Sequence, residues 1–151
     1  MNLGIDIGNY NVKTSEGVIF KSAVSENIEY GNKFDKIEID SKTYYLGTGR
    51  LEIDYRKFDK ENYIPLLLGA ICKSSNSIEN RIGLGLPIKQ YSSCKQELID
   101  KLTNKTYDVT YNDIRRRIRI TDVQVFPESV AGIIAHFNST LFDVKYKDIV
   151  S

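Results

Sequence analysis

The chain has 151 residues, with 21 Lys and Arg against 20 Asp and Glu, a formal net charge of +1. That balance excludes a general electrostatic attraction to nucleic acid or to an anionic membrane. With His136 as the single histidine, neither a zinc cluster nor a histidine-based catalytic triad can be assembled.

The length fits one domain with a sizeable core. The longest apolar run, Ile64 to Cys72, is interrupted by Pro65 and Gly69 and is far too short to span a bilayer. Cys72 and Cys94 are well separated and no export signal opens the chain, so both read as reduced thiols of a cytoplasmic protein.

In chain order, Leu3, Ile5 and Ile7 alternate with Gly4 and Asp6, the pattern of a strand with one buried face. Gly8-Asn9 supplies turn chemistry, and Val12 starts a second strand that carries Lys13. Such a hairpin is either a plain structural element or an anion site. In the second case its tip aims backbone N–H groups at a phosphate chain, Lys13 adds a charge, and Asp6 holds a magnesium ion through its water shell. Gly17 to Phe20 reads as a third strand of the same meander, and residues 22–35 read as a loop. Lys36–Asp40 and Thr43–Leu46 flank Ser41-Lys42 as another hairpin, closed by a simple turn at Gly47-Thr48-Gly49.

From Glu61 to about Ser75 the period changes. Ile64, Leu67, Leu68 and Ile71 form one helical stripe, with Pro65 in the first turn. Arg81–Leu86 is a strand stopped by Pro87, and its two glycines imply close backbone approach or a bulge. A second helix is predicted over about Ser92–Leu102. Tyr107–Tyr111 and Arg115–Ile120 alternate cleanly, with Arg115, Arg117 and Arg119 on one face, which at this net charge reads as a solvated strand. Val123–Phe126 is a further short strand. Pro127-Glu128 then carries ordinary helix-start signals, and locally Glu128 reads as a dipole partner. The tail stops at Asp148-Ile149-Val150-Ser151, which reads as the beginning of a strand. The pattern predicts a mixed α/β fold, with antiparallel hairpins flanked by helices.

Three segments, in this order, resemble the first half of an actin-like ATPase of the bacterial ParM type. Gly4-Ile5-Asp6-Ile7-Gly8 through Lys13 is similar to the first phosphate hairpin of the actin and hexokinase superfamily. Gly85-Leu86-Pro87-Ile88-Lys89-Gln90-Tyr91 resembles the segment after the central strand of ParM-like proteins. Asp122 to Ser129 matches the strand and helix start in which a glutamate positions the attacking water. The resemblance implies an actin-like ATPase (ribonuclease H-like) domain with a mixed sheet, residues 1–151 forming the first half of a two-domain nucleotide-binding fold. It assigns Gly8, Asn9, Tyr10 and Asn11 to the phosphates, Lys13 to their charge, Asp6 to hydrated Mg²⁺ and Glu128 to the water. Asn9 and Tyr10 are bulkier than the Ser, Thr or Gly often found there.

The family's second domain, second phosphate loop and adenosine pocket have no counterpart in residues 14–151. The chain is therefore expected to be one domain of a longer protein, natural or engineered, and an inactive or very weak NTPase in isolation. For the whole protein the resemblance implies ATP or GTP with Mg²⁺ and self-association into filaments. It also implies a cytoplasmic role in plasmid or phage DNA segregation through an adaptor, without direct nucleic-acid or membrane contact. Two other readings are a small-molecule kinase of the superfamily, such as a type III pantothenate kinase, and a catalytically silent interaction module.

Overall fold

The computed structural model describes residues 1–27, 33–51 and 61–128. Its elements are β1 (Asn2–Ile7), β2 (Asn11–Thr14), β3 (Ile19–Lys21), β4 (Val24–Ser25), β5 (Lys36–Ile39), β6 (Lys42–Leu46), α1 (Tyr63–Ser74), β7 (Glu79–Leu86), α2 (Ile88–Leu102), β8 (Lys105–Tyr111) and β9 (Ile114–Pro127). The strands form one sheet in the order β3-β2-β1-β7-β9-β8-β5-β6-β4. β1, β7 and β9 run parallel at its centre, and the hairpin strands on either side pair antiparallel.

The register fixes which side chains share a face. Leu3 and Ile5 of β1 lie beside Ile82 and Leu84 of β7, which lie beside Val123 and Val125 of β9. Opposite Ile5 and Ile7 stand Thr14 and Val12 of β2, and Val12 is in turn opposite Phe20. At the far end Ile37 faces both Tyr44 and Tyr111, and Leu46 faces Val24. This one face is curved. β3 and β4 lie at opposite ends of the strand order, yet only Ser22 and Ala23 separate them in the chain. The two ends of the sheet must therefore come together. Their seam is closed by the Gly47 N–H donating to the Ala23 carbonyl (2.9 Å) and the Lys21 ammonium donating to the Gly49 carbonyl (3.0 Å).

α1 lies inside the curve, packed against β1, β2, β5 and β6. The expected stripe of Ile64, Leu67, Leu68 and Ile71 is too narrow: Tyr63, Pro65, Leu66, Gly69, Ala70 and Cys72 are buried too, while Ile64 is only half-buried. A helix wrapped by a sheet is apolar nearly all round rather than along one side. Gly69 makes the wrapping possible, because a Cβ there would lie 2.6 Å from Leu46 Cδ1. The C-terminal end of α1 is held by Arg116. Its guanidinium donates to the carbonyls of Cys72 (3.0 Å) and Ser75 (2.6 Å), placing a cation at the negative end of the helix dipole.

α2 covers the opposite face over β7 and β9, burying Gln90, Cys94, Leu98 and Leu102. It starts at Ile88, earlier than the predicted Ser92, because the Pro87 carbonyl already accepts the N–H groups of Gln90 (2.8 Å) and Tyr91 (3.0 Å). The two strands expected at Arg115–Ile120 and Val123–Phe126 are one, with a register shift opposite Asn80/Arg81 that absorbs the extra residue. The first of the later hairpins turns at Asp40-Ser41 (φ 49° and 68°), one residue before the expected place, and β4 lies in the stretch read as a loop. The rest of the helix expected after Glu128 and the tail to Ser151 lie outside the described residues.

Two of the three arginines expected to share one face lie beside carboxylates: Arg117 pairs with Asp108 (2.8 Å) and Arg119 lies 3.9 Å from Glu79.

Two outcomes follow from this packing. Gly69→Val is expected to destabilise the chain by about 1–3 kcal/mol, as overpacking does. Combining it with Leu46→Ala should cost less than the two changes summed, read as midpoints of urea melts. The second concerns Asp35, which accepts hydrogen bonds from Lys73 and from Asn112 (2.9 Å) and so ties the segment before β5 to α1 and to the β8–β9 turn. Partial burial works to raise its pKa, but the hydrogen bonds from Lys73 and Asn112 and the Lys73 charge together outweigh it, so the net shift is downward. A depressed carboxylate contributes stability above its unfolded pKa and loses it as pH falls through the folded value. Asp35→Asn should therefore flatten the decline in melting temperature on acidification below about pH 4; an unchanged acid slope would contradict this.

Candidate functional site

Three parallel strands end at one edge of the sheet. Ile5 is level with Leu84, Leu84 with Val125, and Leu86 with Pro127. Asp6 and Ile7, Gly85 and Leu86, and Phe126 and Pro127 therefore finish together, and Glu128 follows at once. Ligands of open α/β sheets bind outside the carboxyl ends of such strands.

The β1–β2 hairpin stands at this edge. Asp6 and Lys13 are directly opposite in its register, so an anionic and a cationic side chain share one face, Asp6 half-buried and Lys13 exposed. The tip is tethered twice: the Gly8 N–H donates to the Asn11 carbonyl, and the Ser22 N–H donates to the Tyr10 carbonyl, both at 2.9 Å. Gly8 eases the reversal as expected, though without adopting positive φ. It is needed for close approach, since a Cβ at this position would sit 2.8 Å from the Asn11 carbonyl oxygen. Asn9, Tyr10 and Asn11 are exposed, Tyr10 at 64%. The Gly8 N–H is already engaged, so an anion at this tip would be met by the backbone beyond Gly8 and by Lys13.

Glu128 is half-buried and directly follows β9. The expected residues thus fall into one connected unit, Asp6 through Lys13, and one separate residue, Glu128, at the same edge. Among the described residues there is no group of three or more His, Cys, Asp or Glu able to hold a metal ion directly.

Two neighbours carry no recognisable motif. Thr14 is buried, and its Oγ1 accepts hydrogen bonds from Ser74 Oγ (2.9 Å) and from the Glu16 and Val18 N–H groups, fixing the base of the hairpin to the end of α1. Tyr63, at the other end of α1, is 1% exposed. Burial first, then the negative charges of Asp6 and Glu128, push its hydroxyl pKa above the ordinary tyrosine value. The only sequence signal for Tyr63 is a polar tip at the first position of an apolar helix.

Comparison with known proteins identifies the fold. No curated protein matches the chain significantly in sequence. Among solved structures, an archaeal actin homologue in complex with ADP superposes with a TM-score of 0.71 at 21% identity, over 94% of this chain and 47% of that one. An apo ParM protein of pSK41 gives 0.68 at 17%, over 85% and 50%. AlfA from the B. subtilis plasmid pLS32, solved as a filament, gives 0.67 at 17%, over 84% and 55%. The chain spans about half the length of the solved structures it matches, and at these identities the likeness establishes the fold alone. A family model for the N-terminal domain of actin-like proteins matches residues 4–130, which takes in all of the strands and helices described above except the first two residues of β1, and on that match the chain belongs to the actin-like protein family.

Proposed function

We propose that this chain is the first half of a two-domain, filament-forming NTPase of the ParM type, binding the phosphates of Mg-ATP or Mg-GTP at the β1–β2 hairpin. The observation that carries the reading is the placement of Asp6, Lys13 and Glu128 along the carboxyl edge of β1, β7 and β9. The residues present fit the absent groups. A carboxylate and an ammonium face each other across the hairpin, beside an exposed tip of Asn9, Tyr10 and Asn11.

In this reading the exposed tip, Asn9 to Asn11, turns backbone and side-chain donors toward the phosphates, and Lys13 neutralises part of their charge. Asp6 accepts hydrogen bonds from the water shell of magnesium, which when bound supplies charge compensation for phosphoryl transfer. Glu128 orients the attacking water and takes up proton density as it adds. Such a site works mainly by positioning and electrostatics, and both are weak when one wall of the cleft is missing. The isolated chain is therefore expected to turn over very slowly or not at all.

The filament seen for AlfA supports self-association, and the ADP complex of the archaeal homologue supports a nucleotide. In this reading an adaptor, rather than direct contact, links the protein to plasmid or phage DNA. Among the described residues no helix is long and apolar enough to cross a membrane.

The test uses the full-length protein that carries this chain. Lys13→Ala should weaken binding of labelled ATP or GTP by roughly 10- to 100-fold, the worth of one charge-assisted hydrogen bond. Arg115, Arg117 and Arg119 changed together to Ser should leave it unaltered. Glu128→Ala should hold affinity within a few-fold while slowing phosphate release by about 10²-fold or more. Binding that depends on the arginines and ignores Lys13 would overturn the assignment, and phosphorylation of a small alcohol without a sedimenting polymer would return the protein to the kinase class.

A further inference from the structure

Beside the seam that closes the sheet lies a cavity of about 620 Å³. Its walls are the end of β3, the end of β6, residues 33–36, the end of α1 and the β8–β9 turn. The volume falls in the range of small-molecule sites, roughly 300–1,000 Å³. None of Asp6, Lys13 and Glu128 lines it, so it is separate from the edge where the phosphates are proposed to bind.

The charges in it do not balance. Lys21, Lys33, Lys36 and Lys73 line the cavity against only Asp35 and Asp113. Both carboxylates are already taken: Asp35 by Lys73, and Asp113 by Lys36, whose Nζ lies 3.2 Å away. Lys21 donates to the Gly49 carbonyl (3.0 Å), a neutral acceptor, and Lys33 is exposed. Neither has a carboxylate partner among the described residues. Two ammonium charges therefore remain uncompensated in one concave surface, where their fields add.

The walls that carry these charges are fixed. Asn112 accepts the Lys36 N–H at its Oδ1 (2.9 Å), returns its own N–H to the Lys36 carbonyl (3.0 Å), and donates its side-chain amide to Asp35 (2.9 Å). The Asp35 carbonyl accepts the Leu46 N–H (2.8 Å), which ties the same segment to β6. The Lys73 side chain is 15% exposed, with Nζ held 5.2 Å from the centre of the Phe20 ring. Phe34, 38% exposed, adds an apolar ring to the lining. A cavity braced in this way loses little freedom when a ligand enters, which favours binding.

We propose that this cavity binds a small molecule carrying a phosphate or carboxylate group on an apolar, ring-sized body. The anionic group meets Lys21 and Lys33, and the body lies against Phe34. The site does not depend on the NTPase reading.

The probes are phenyl phosphate, benzoate and inorganic phosphate, titrated by calorimetry at constant ionic strength into the full-length protein that carries this chain. Phenyl phosphate or benzoate should bind saturably with a Kd below about 1 mM, and the tighter of the two identifies the anionic group. Inorganic phosphate should bind at least about 5-fold more weakly, because it has no apolar surface to bury. Lys33→Glu should weaken the preferred probe by about 10-fold or more without moving the melting temperature, since the side chain is exposed. Lys21→Gln, which keeps a donor for Gly49, should act in the same direction, and Lys13→Ala should change nothing. Absence of saturable binding of either ring compound up to about 10 mM would overturn the proposal. So would inorganic phosphate binding as tightly as phenyl phosphate, since charge alone would then be recognised. Binding that survives Lys33→Glu and is lost in Lys13→Ala would also overturn it, by placing the probe at the β1–β2 hairpin.

Discussion

Everything described here depends on the enclosure of α1 by one continuous face of the sheet. Burying a helix on nearly all sides requires a sheet that bends until its ends meet, and that in turn requires points where backbone or side chain yields space. Gly69 gives it on the helix side, where Leu46 of β6 takes the place of a Cβ. Gly49 gives it at the seam: its φ is +106°, and a Cβ would stand 2.5 Å from the Val24 carbonyl oxygen. The polar needs of the enclosed helix are met at the ends, by Arg116 on the carbonyls of Cys72 and Ser75 and by Ser74 on Thr14.

The same enclosure separates support from chemistry. One face of the central strands is committed to α1, so Ile5, Ile7 and Leu84 are packing residues. Alternation then turns Asp6 and Lys13 to the other face. The hairpin tip, fixed by the Gly8–Asn11 and Ser22–Tyr10 hydrogen bonds, rises from a rigid base and is not a free loop. In the proposed reading the tip meets a phosphate chain, and such fixity favours that role, because its dipoles need not reorganise.

Local features were legible in the sequence and distant ones were not. The opening hairpin was plain because alternation and a small turn residue are encoded within ten positions, although Gly8 serves close approach and not an unusual φ. Hydrophobic period identified α1 but misjudged its burial: a stripe of Ile64, Leu67, Leu68 and Ile71 says nothing about β5 and β6 arriving from the other side. Arg115, Arg116, Arg117 and Arg119 look alike in sequence, and only the register shows that Arg116 turns inward to cap a helix while Arg117 and Arg119 meet carboxylates. The break assumed between Ile120 and Val123 was a bulge within one strand, since an extra residue in a register leaves the same mark as a short loop. Asp6, Lys13 and Glu128 could be named from motifs; the buried Tyr63 at the head of α1 has none.

The placement of β9 has a consequence for how the chain acquires its shape. It pairs with β7 on one side and β8 on the other, and so joins a β3-β2-β1-β7 half-sheet to a β8-β5-β6-β4 half-sheet. It is also the last of the described strands to leave the ribosome. Until residues 114–127 are available, both halves carry an open, hydrogen-bonding edge, and the cage around α1 lacks its keystone. Contacts of such long sequence separation form slowly and together, so until β9 is made those edges are open to pairing with other strands.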